Sequence, residues 1–297
     1  MLDVSSDNLL HSVFQTLVYA DIFDYPLTAQ EVYRYLTSGG ASAEEVAGVL
    51  SNKTFFTQVG DYFTLHGREK IVETRKRRAA IAAQLWPKAV RYGRIIARLP
   101  FVRMIAVTGS LAMNNTQEEQ DIDYMIVTAP GHLWTCRALS LLVARWAELE
   151  EVKLCPNYLV TTDALAFEER SLYVAHELAQ MIPLSGMDIY CEIRGLNLWI
   201  HDYLPNASLE PKLPQRLKLE EGPSFFQKAL ETSFRGPFAT RLEKWEMDRK
   251  IERLTHEQSS SIESCFSAAV CKGHIDRHRQ KTENAIAEKL ERIAIEL

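Results

Sequence analysis

Asp121 and Asp123 flank Ile122 at the head of the apolar run 124–127, and Gly109-Ser110 closes the apolar run 102–107 just upstream. Side chains on an extended strand alternate faces, so the two carboxylates point one way and Ile122 the other. Like charges that close repel unless a cation shares them, and hard carboxylate oxygens suit Mg²⁺, which keeps waters and substrate phosphates in its shell. Gly109 lets the backbone approach a ligand, amides at a helix start attract phosphate, and Ser110 adds a hydroxyl donor. Metal ions that neutralise a transferring phosphate and align attacking and leaving oxygens carry out phosphoryl or nucleotidyl transfer. That is the chemistry this spacing allows.

The elements around the motif have to hold it. An apolar strand is expected at 104–108, a second at 122–128, a helix at 133–149 and a third strand at 154–161, an α/β pattern with residues 114–120 as the connection between the two halves of the site. Upstream, residues 9–23 have helical apolar spacing. Thr28/Glu31 and Ser42/Glu45 match capping boxes, which start short helices at about 28–37 and 42–51. Two aromatic and β-branched runs at 54–58 and 62–66, separated by Val59-Gly60-Asp61, read as a hairpin. Three helices and a hairpin read as a winged helix. Residues 70–99 form one long helix, or two broken near Trp86-Pro87. Farther on, 167–181 and 196–203 read as helical, 187–193 as a further strand, and the chain from 224 onward as mostly helical.

Other reactive groups have competing readings. Arg137 and Arg145 stand eight positions apart on the helix after the aspartates, where they could approach a triphosphate or be solvated. His176-Glu177 falls in an apolar helix, where a histidine is usually a hydrogen-bonded packing residue. Cys271, His274 and His278 would share a helix face, but their spacing from Cys265 matches no familiar zinc finger. Trp199 and Trp245 sit at helical apolar positions and are expected in the core.

Strand, Gly-Ser, about a dozen residues, then Asp-apolar-Asp and another strand resembles the DNA polymerase beta-like nucleotidyltransferase superfamily over residues 100–165. The resemblance implies that Gly109 and Ser110 grip a nucleotide triphosphate while Asp121 and Asp123 are catalytic and bind one or two Mg²⁺ ions. Members of that superfamily usually place a third carboxylate on a later strand. Here the strand offers Asn157, which cannot act as a base; Asp163 just beyond it, or Glu192, would have to serve instead.

The expected fold class is therefore α+β: a small mixed β-sheet nucleotidyltransferase domain (101–205), a winged-helix-like domain (1–68), a basic connecting helix (69–100) and a helical C-terminal domain (206–297). Of the 297 residues 46% are hydrophobic and 25% charged, an ordinary globular mix. No basic segment precedes an apolar run at the start, and the longest apolar run, 138–147, is broken by Ser140 and Arg145, so no membrane partner is expected. Five irregularly placed cysteines fit reduced thiols and a cytoplasmic location.

The net charge of −5 is unevenly spread. Residues 1–68 carry eight acids against Arg34, Lys53 and Arg68, and the expected recognition helix at 42–51 has no Lys or Arg, so DNA binding by this module is not expected. Residues 69–103 hold ten basic residues, among them the run Arg75-Lys76-Arg77-Arg78, the better nucleic-acid candidate unless it is a solvated face. The leading expectation is an enzyme moving a nucleotidyl group from an NTP to a hydroxyl or phosphate on an RNA, a protein or a small molecule. The rivals are a catalytically silent nucleotide-binding protein acting through partner contacts of the winged helix, and a transcriptional regulator.

Overall fold

The computed structural model describes residues 4–208, 210, 225–233, 236–257, 265–272 and 278–296. The N-terminal module comprises α1 (Val4–Ile22), β1 (Leu27–Thr28), α2 (Ala29–Arg34), α3 (Ala43–Leu50), β2 (Phe56–Val59) and β3 (Tyr62–Leu65), with the strands in the order β1-β3-β2. Both capping boxes form: Thr28 and Ser42 accept from the amides of Glu31 and Glu45, whose carboxylates return to the cap amides. Val13, Leu17, Val32, Leu36, Val46, Phe56 and Leu65 fill the module's core. Thr16, Tyr19 and Ala20 of helix α1, with Phe23 just beyond its end, follow the i, i+3, i+4, i+7 spacing of one helix face and line a cavity, Ala20 packing in the core as well.

Helix α4 (Ile71–Ala97) runs unbroken through Pro87. Pro87 removes one amide, but buried residues on both sides of it, Ala82, Ala89, Tyr92 and Ile96, pack the helix along its length. The basic run on α4 is not a uniformly solvated face. Arg75 grips Glu31 through two bonds of 2.7 and 2.8 Å and lies 4.1 Å over the Tyr25 ring. Arg78, 9% exposed, donates to the Phe23 carbonyl at 2.7 Å and to Asn115 Oδ1 at 3.2 Å. Two of the four cations therefore bolt the N-terminal module to α4, while Lys76 and Arg77 face solvent.

The central sheet is mixed and makes the architecture α+β. Its strands are β4 (Val102–Val107), β5 (Ile122–Thr128), β6 (Leu154–Thr161), β7 (Ile182–Ser185), β8 (Cys265–Phe266) and β9 (Val270–Lys272), in the order β7-β4-β5-β6-β9-β8. Among the described strands only β5 and β6 run parallel, joined through α6 (Leu133–Glu148). Strand alternation divides two cores. Ile105, Val107, Ile122, Tyr124 and Ile126 face α4 and α6; Met104, Ala106, Met125 and Val127 face α7 (Leu172–Gln180), α8 (Met187–Leu196) and α9 (Ile200–Tyr203). By the same alternation Asp123 belongs to the α7 side.

Residues 187–193, expected as a strand, belong to helix α8. Gly186, at φ 69 with Arg103 O only 2.3 Å from where a Cβ would stand, turns β7 sharply into the helix. Buried Tyr190, Ile193 and Arg194 then repeat at helical spacing. The helix expected over 167–181 is limited to α7, started by the Ser171 cap and followed directly by β7.

The C-terminal region, α10 (Phe225–Ser233), α11 (Pro237–Glu257) and α12 (His278–Glu296) with β8 and β9, threads back into the body of the molecule. Strand β9 extends the sheet at the β6 edge. Glu231 takes the Phe101 amide and Arg103, each at 2.7 Å, and Glu243 accepts from the amides of Trp134 (2.8 Å) and Thr135 (2.7 Å), capping α6. On α12, Lys289 pairs with the buried Asp21 of α1. No helix among the described residues is long and apolar enough to cross a membrane.

Candidate functional site

Strand β4 ends at Val107, and Gly109-Ser110 opens the single-turn helix α5 (Gly109–Ala112). The Thr108 amide donates to the Asp123 carbonyl at 3.1 Å, which pins the end of β4 to the start of β5. Gly109, at φ 63, places its backbone against the second aspartate: a Cβ there would stand 2.7 Å from Asp123 Oδ2. Only glycine meets both conditions, a left-handed backbone and a neighbour at that distance. The connection folds back to complete the arrangement. The Asn115 amide donates to the Ser110 carbonyl at 2.8 Å, and its side chain donates to the Phe23 carbonyl of the N-terminal module at 3.0 Å.

A cavity of about 490 Å³ opens over these residues. Thr108, Gly109, Ser110, Asp121 and Asp123 form its floor together with Cys155 and Asn157 of β6. Asp123 stands opposite Cys155, and the register slips between Tyr124 and Met125, so Asn157 is the extra residue of a bulge. The roof is aromatic: Tyr19, Phe23, Tyr25 and Tyr35 from the N-terminal module, with Tyr173, His176 and Glu177 from α7. Among the described residues no Lys or Arg lines it.

This environment governs the protons. Burial pushes the Asp123 carboxyl up to about 7, helped by the charges of Glu177 and Asp121. Burial raises Glu177 to about 7 as well, with Lys272 opposing. The Cys155 thiol is pushed up to about 12 by burial and then by Asp123, so it stays protonated beside the carboxylate. His176 is driven down to about 3 by burial alone and is a neutral imidazole. Its ring stacks on Tyr19 at 3.8 Å, and the Gln180 amide donates to Nδ1 at 3.1 Å, which leaves the ring proton on Nε2. Among the described residues that buried Nε2 has no partner, nor has the buried Oγ of Ser110.

Gly109, Ser110, Asp121, Asp123 and Asn157 are thus brought together. The other candidates are not. Asp163 accepts from Thr161 Oγ1 in the turn after β6, outside the cavity. Arg137 lies 5.9 Å from the Trp134 ring and bonds Cys271, also outside the lining. Glu192 and Arg145 are exposed on α8 and α6.

Cys271, expected on a helix face with His274 and His278, lies instead on strand β9 opposite β8, which carries Cys265, and His274 falls outside the described residues. Among the described residues no group of three or more His, Cys, Asp or Glu is arranged to hold a metal. Trp199 is buried as expected, but Trp245, expected in the core, is 58% exposed with Arg249 4.8 Å from its ring.

Glu177, to which the sequence reading gave no role beside His176, also lines the cavity. Its one local signal is a half-buried glutamate between His176 and Leu178 in an apolar helix, where an acid needs a reason to be. The aromatic stripe of α1 was hidden for a different reason, since its spacing looks like any amphipathic face.

Comparison of the chain with protein-family models, with curated proteins and with solved structures finds no match.

Proposed function

We propose that this chain is a Mg²⁺-dependent nucleotidyltransferase that moves a nucleotidyl group from an NTP to a hydroxyl-bearing acceptor, with a winged-helix-like N-terminal module roofing the site. The observation that supports it most is the packing of Gly109 against the Asp123 carboxylate at the floor of the cavity, because it joins the two halves of the motif in one place. The donor set fits a hard divalent cation. Asp121 and Asp123 supply carboxylate oxygens, Asn157 a carbonyl oxygen, and Ser110 a hydroxyl that has no partner in the protein. A metal held by Asp121 and Asp123 would neutralise the triphosphate in a cavity that no Lys or Arg of the described residues lines.

The protein groups then have distinct tasks. Ser110 donates to a phosphate oxygen, and Gly109 leaves room for the Asp123 carboxylate beside it. The acceptor oxygen bonds to the α-phosphorus as the bond to pyrophosphate breaks, and the hydroxyl proton passes to an Asp123 carboxylate oxygen. The aromatic roof excludes water from the reacting groups. Five free cysteines suit a reducing compartment, and a cytoplasmic location belongs to the same proposal.

The test is pyrophosphate release from a mixture of NTPs and Mg²⁺, comparing the wild type with Asp123→Ala. The reading fails if the wild type releases none with any NTP across an acceptor panel. A second reading, a nucleotide-binding protein without turnover, is favoured by Asn157 standing where an acid would complete the site. It expects Mg²⁺-dependent NTP binding without pyrophosphate.

A further inference from the structure

We infer that the part of the cavity between Tyr19, His176 and Glu177 is the acceptor subsite and takes a small hydroxyl-bearing organic amine. The word acceptor rests on the transfer reading above, whereas the chemistry of the ligand rests on the cavity itself.

Three carboxylates, Asp121, Asp123 and Glu177, line a space that no Lys or Arg of the described residues enters. Asp121 and Asp123 are accounted for by a metal. Glu177 comes from the opposite wall, on α7, and has no such use. Withdrawing a carboxylate from water without a paired cation is costly, and Lys272, the cation that opposes the rise in Glu177, is itself bonded to Glu169. An ammonium group is the partner that the site lacks.

Beside Glu177, His176 is 3% exposed, and its Nε2 proton has no acceptor. A buried donor left unused is costly, and a ligand hydroxyl oxygen would satisfy it. The Tyr19 ring, stacked on His176, adds an aromatic surface next to these two polar groups. An acid, a neutral donor and an aromatic ring side by side match an amine, a hydroxyl and a carbon frame.

Size and surface argue against a polymer. A cavity of about 490 Å³ accommodates a small molecule rather than a folded partner or a polynucleotide. The basic run that would draw RNA to the neighbourhood has turned Arg75 and Arg78 inward onto Glu31 and the Phe23 carbonyl.

The experiment is calorimetric titration of the full chain, without metal or nucleotide, against two matched pairs: glucosamine with glucose, and tyramine with 4-ethylphenol. At least one amine should bind tenfold or more tightly than its neutral match, and Glu177→Gln should erase that preference. Tyr19→Ala, which keeps the acid and removes the ring, should weaken the same amine severalfold and covers the case in which the Glu177 variant does not fold.

Equal or absent binding in both pairs overturns the inference, as does a twelve-nucleotide RNA that binds and displaces the amine. Binding of Mg²⁺·ATP, titrated separately, keeps the two readings apart. No amine preference alongside intact Mg²⁺·ATP binding overturns the subsite alone. An amine preference without any Mg²⁺·NTP binding supports the subsite and removes the transfer reading.

Discussion

Gly109 and Asp123 are in contact across the end of β4 and the start of β5, and the space between them is too small for a methyl group: a Cβ on residue 109 would stand 2.7 Å from Asp123 Oδ2, at φ 63. Gly109→Ala should therefore both strain the backbone, by roughly 1–2 kcal/mol, and push the carboxylate aside. A displacement on the order of 1 Å at a reacting centre can cost about 100-fold in rate. The expected result is a folded protein by circular dichroism with a slightly lower Tm and pyrophosphate release down about 100-fold. Turnover near that of the wild type would separate the glycine from the chemistry.

Asn157→Asp adds a third carboxylate to the cavity floor. Titration with Mn²⁺, read by electron paramagnetic resonance, should show affinity about tenfold tighter than wild type, whereas Asp121→Asn and Asp123→Asn should each weaken it by at least about tenfold. If Asn157→Asp leaves Mn²⁺ affinity untouched, the bulge residue does not reach the cation.

The metal-free protein should lose stability in mildly alkaline solution. Asp123 and Glu177 both titrate near 7 in the folded chain, above their unfolded values, so the folded state holds the extra protons. The stability they confer is complete below the unfolded carboxyl range and disappears as pH rises through about 7. Between pH 6 and 8.5 each contributes a loss on the order of 1 kcal/mol. Thermal melts at the two pH values should show the drop in the wild type and about half of it in Glu177→Gln. An identical slope in the variant would contradict the assignment.

Arg75→Ala removes a buried cation that Glu31 holds through two bonds, with side chains only 11% and 7% exposed. Leaving the buried Glu31 carboxylate without that cation should cost about 3–5 kcal/mol in a denaturant melt. Arg77→Ala, at an exposed position, should be nearly neutral. Equal small effects in both would mean the whole basic run is solvated.

What could be read in the chain beforehand was local. The capping boxes, the strand-turn pattern around Gly109-Ser110 and the spacing of Asp121 and Asp123 depend on near neighbours: both boxes form, Gly109 follows the end of β4, and both aspartates line the cavity. The fate of Arg75 and Arg78 was not local, because their partners Glu31 and Asn115 lie more than thirty residues away. Glu177 and the Tyr19 stripe escaped for a related reason: helical periodicity says that a face is covered, never by what. The strand expected at 187–193 failed because a short apolar run suits a strand or a buried helix equally well, and Gly186 decided between them.

Lys289 of α12 clasps Asp21 of α1 across 268 residues of chain, and Asp21 is the residue next to Ala20 on the roof of the cavity. Helix α1 thus takes a partner from a segment far along the sequence, and a contact of such wide sequence separation is slow to form, so the roof is secured only when α12 docks. A protease cut between β9 and α12 would spare every residue that lines the cavity. It would still loosen the grip on the helix that carries Tyr19 and Phe23, so proteolytic history could alter ligand binding with the floor of the site chemically intact.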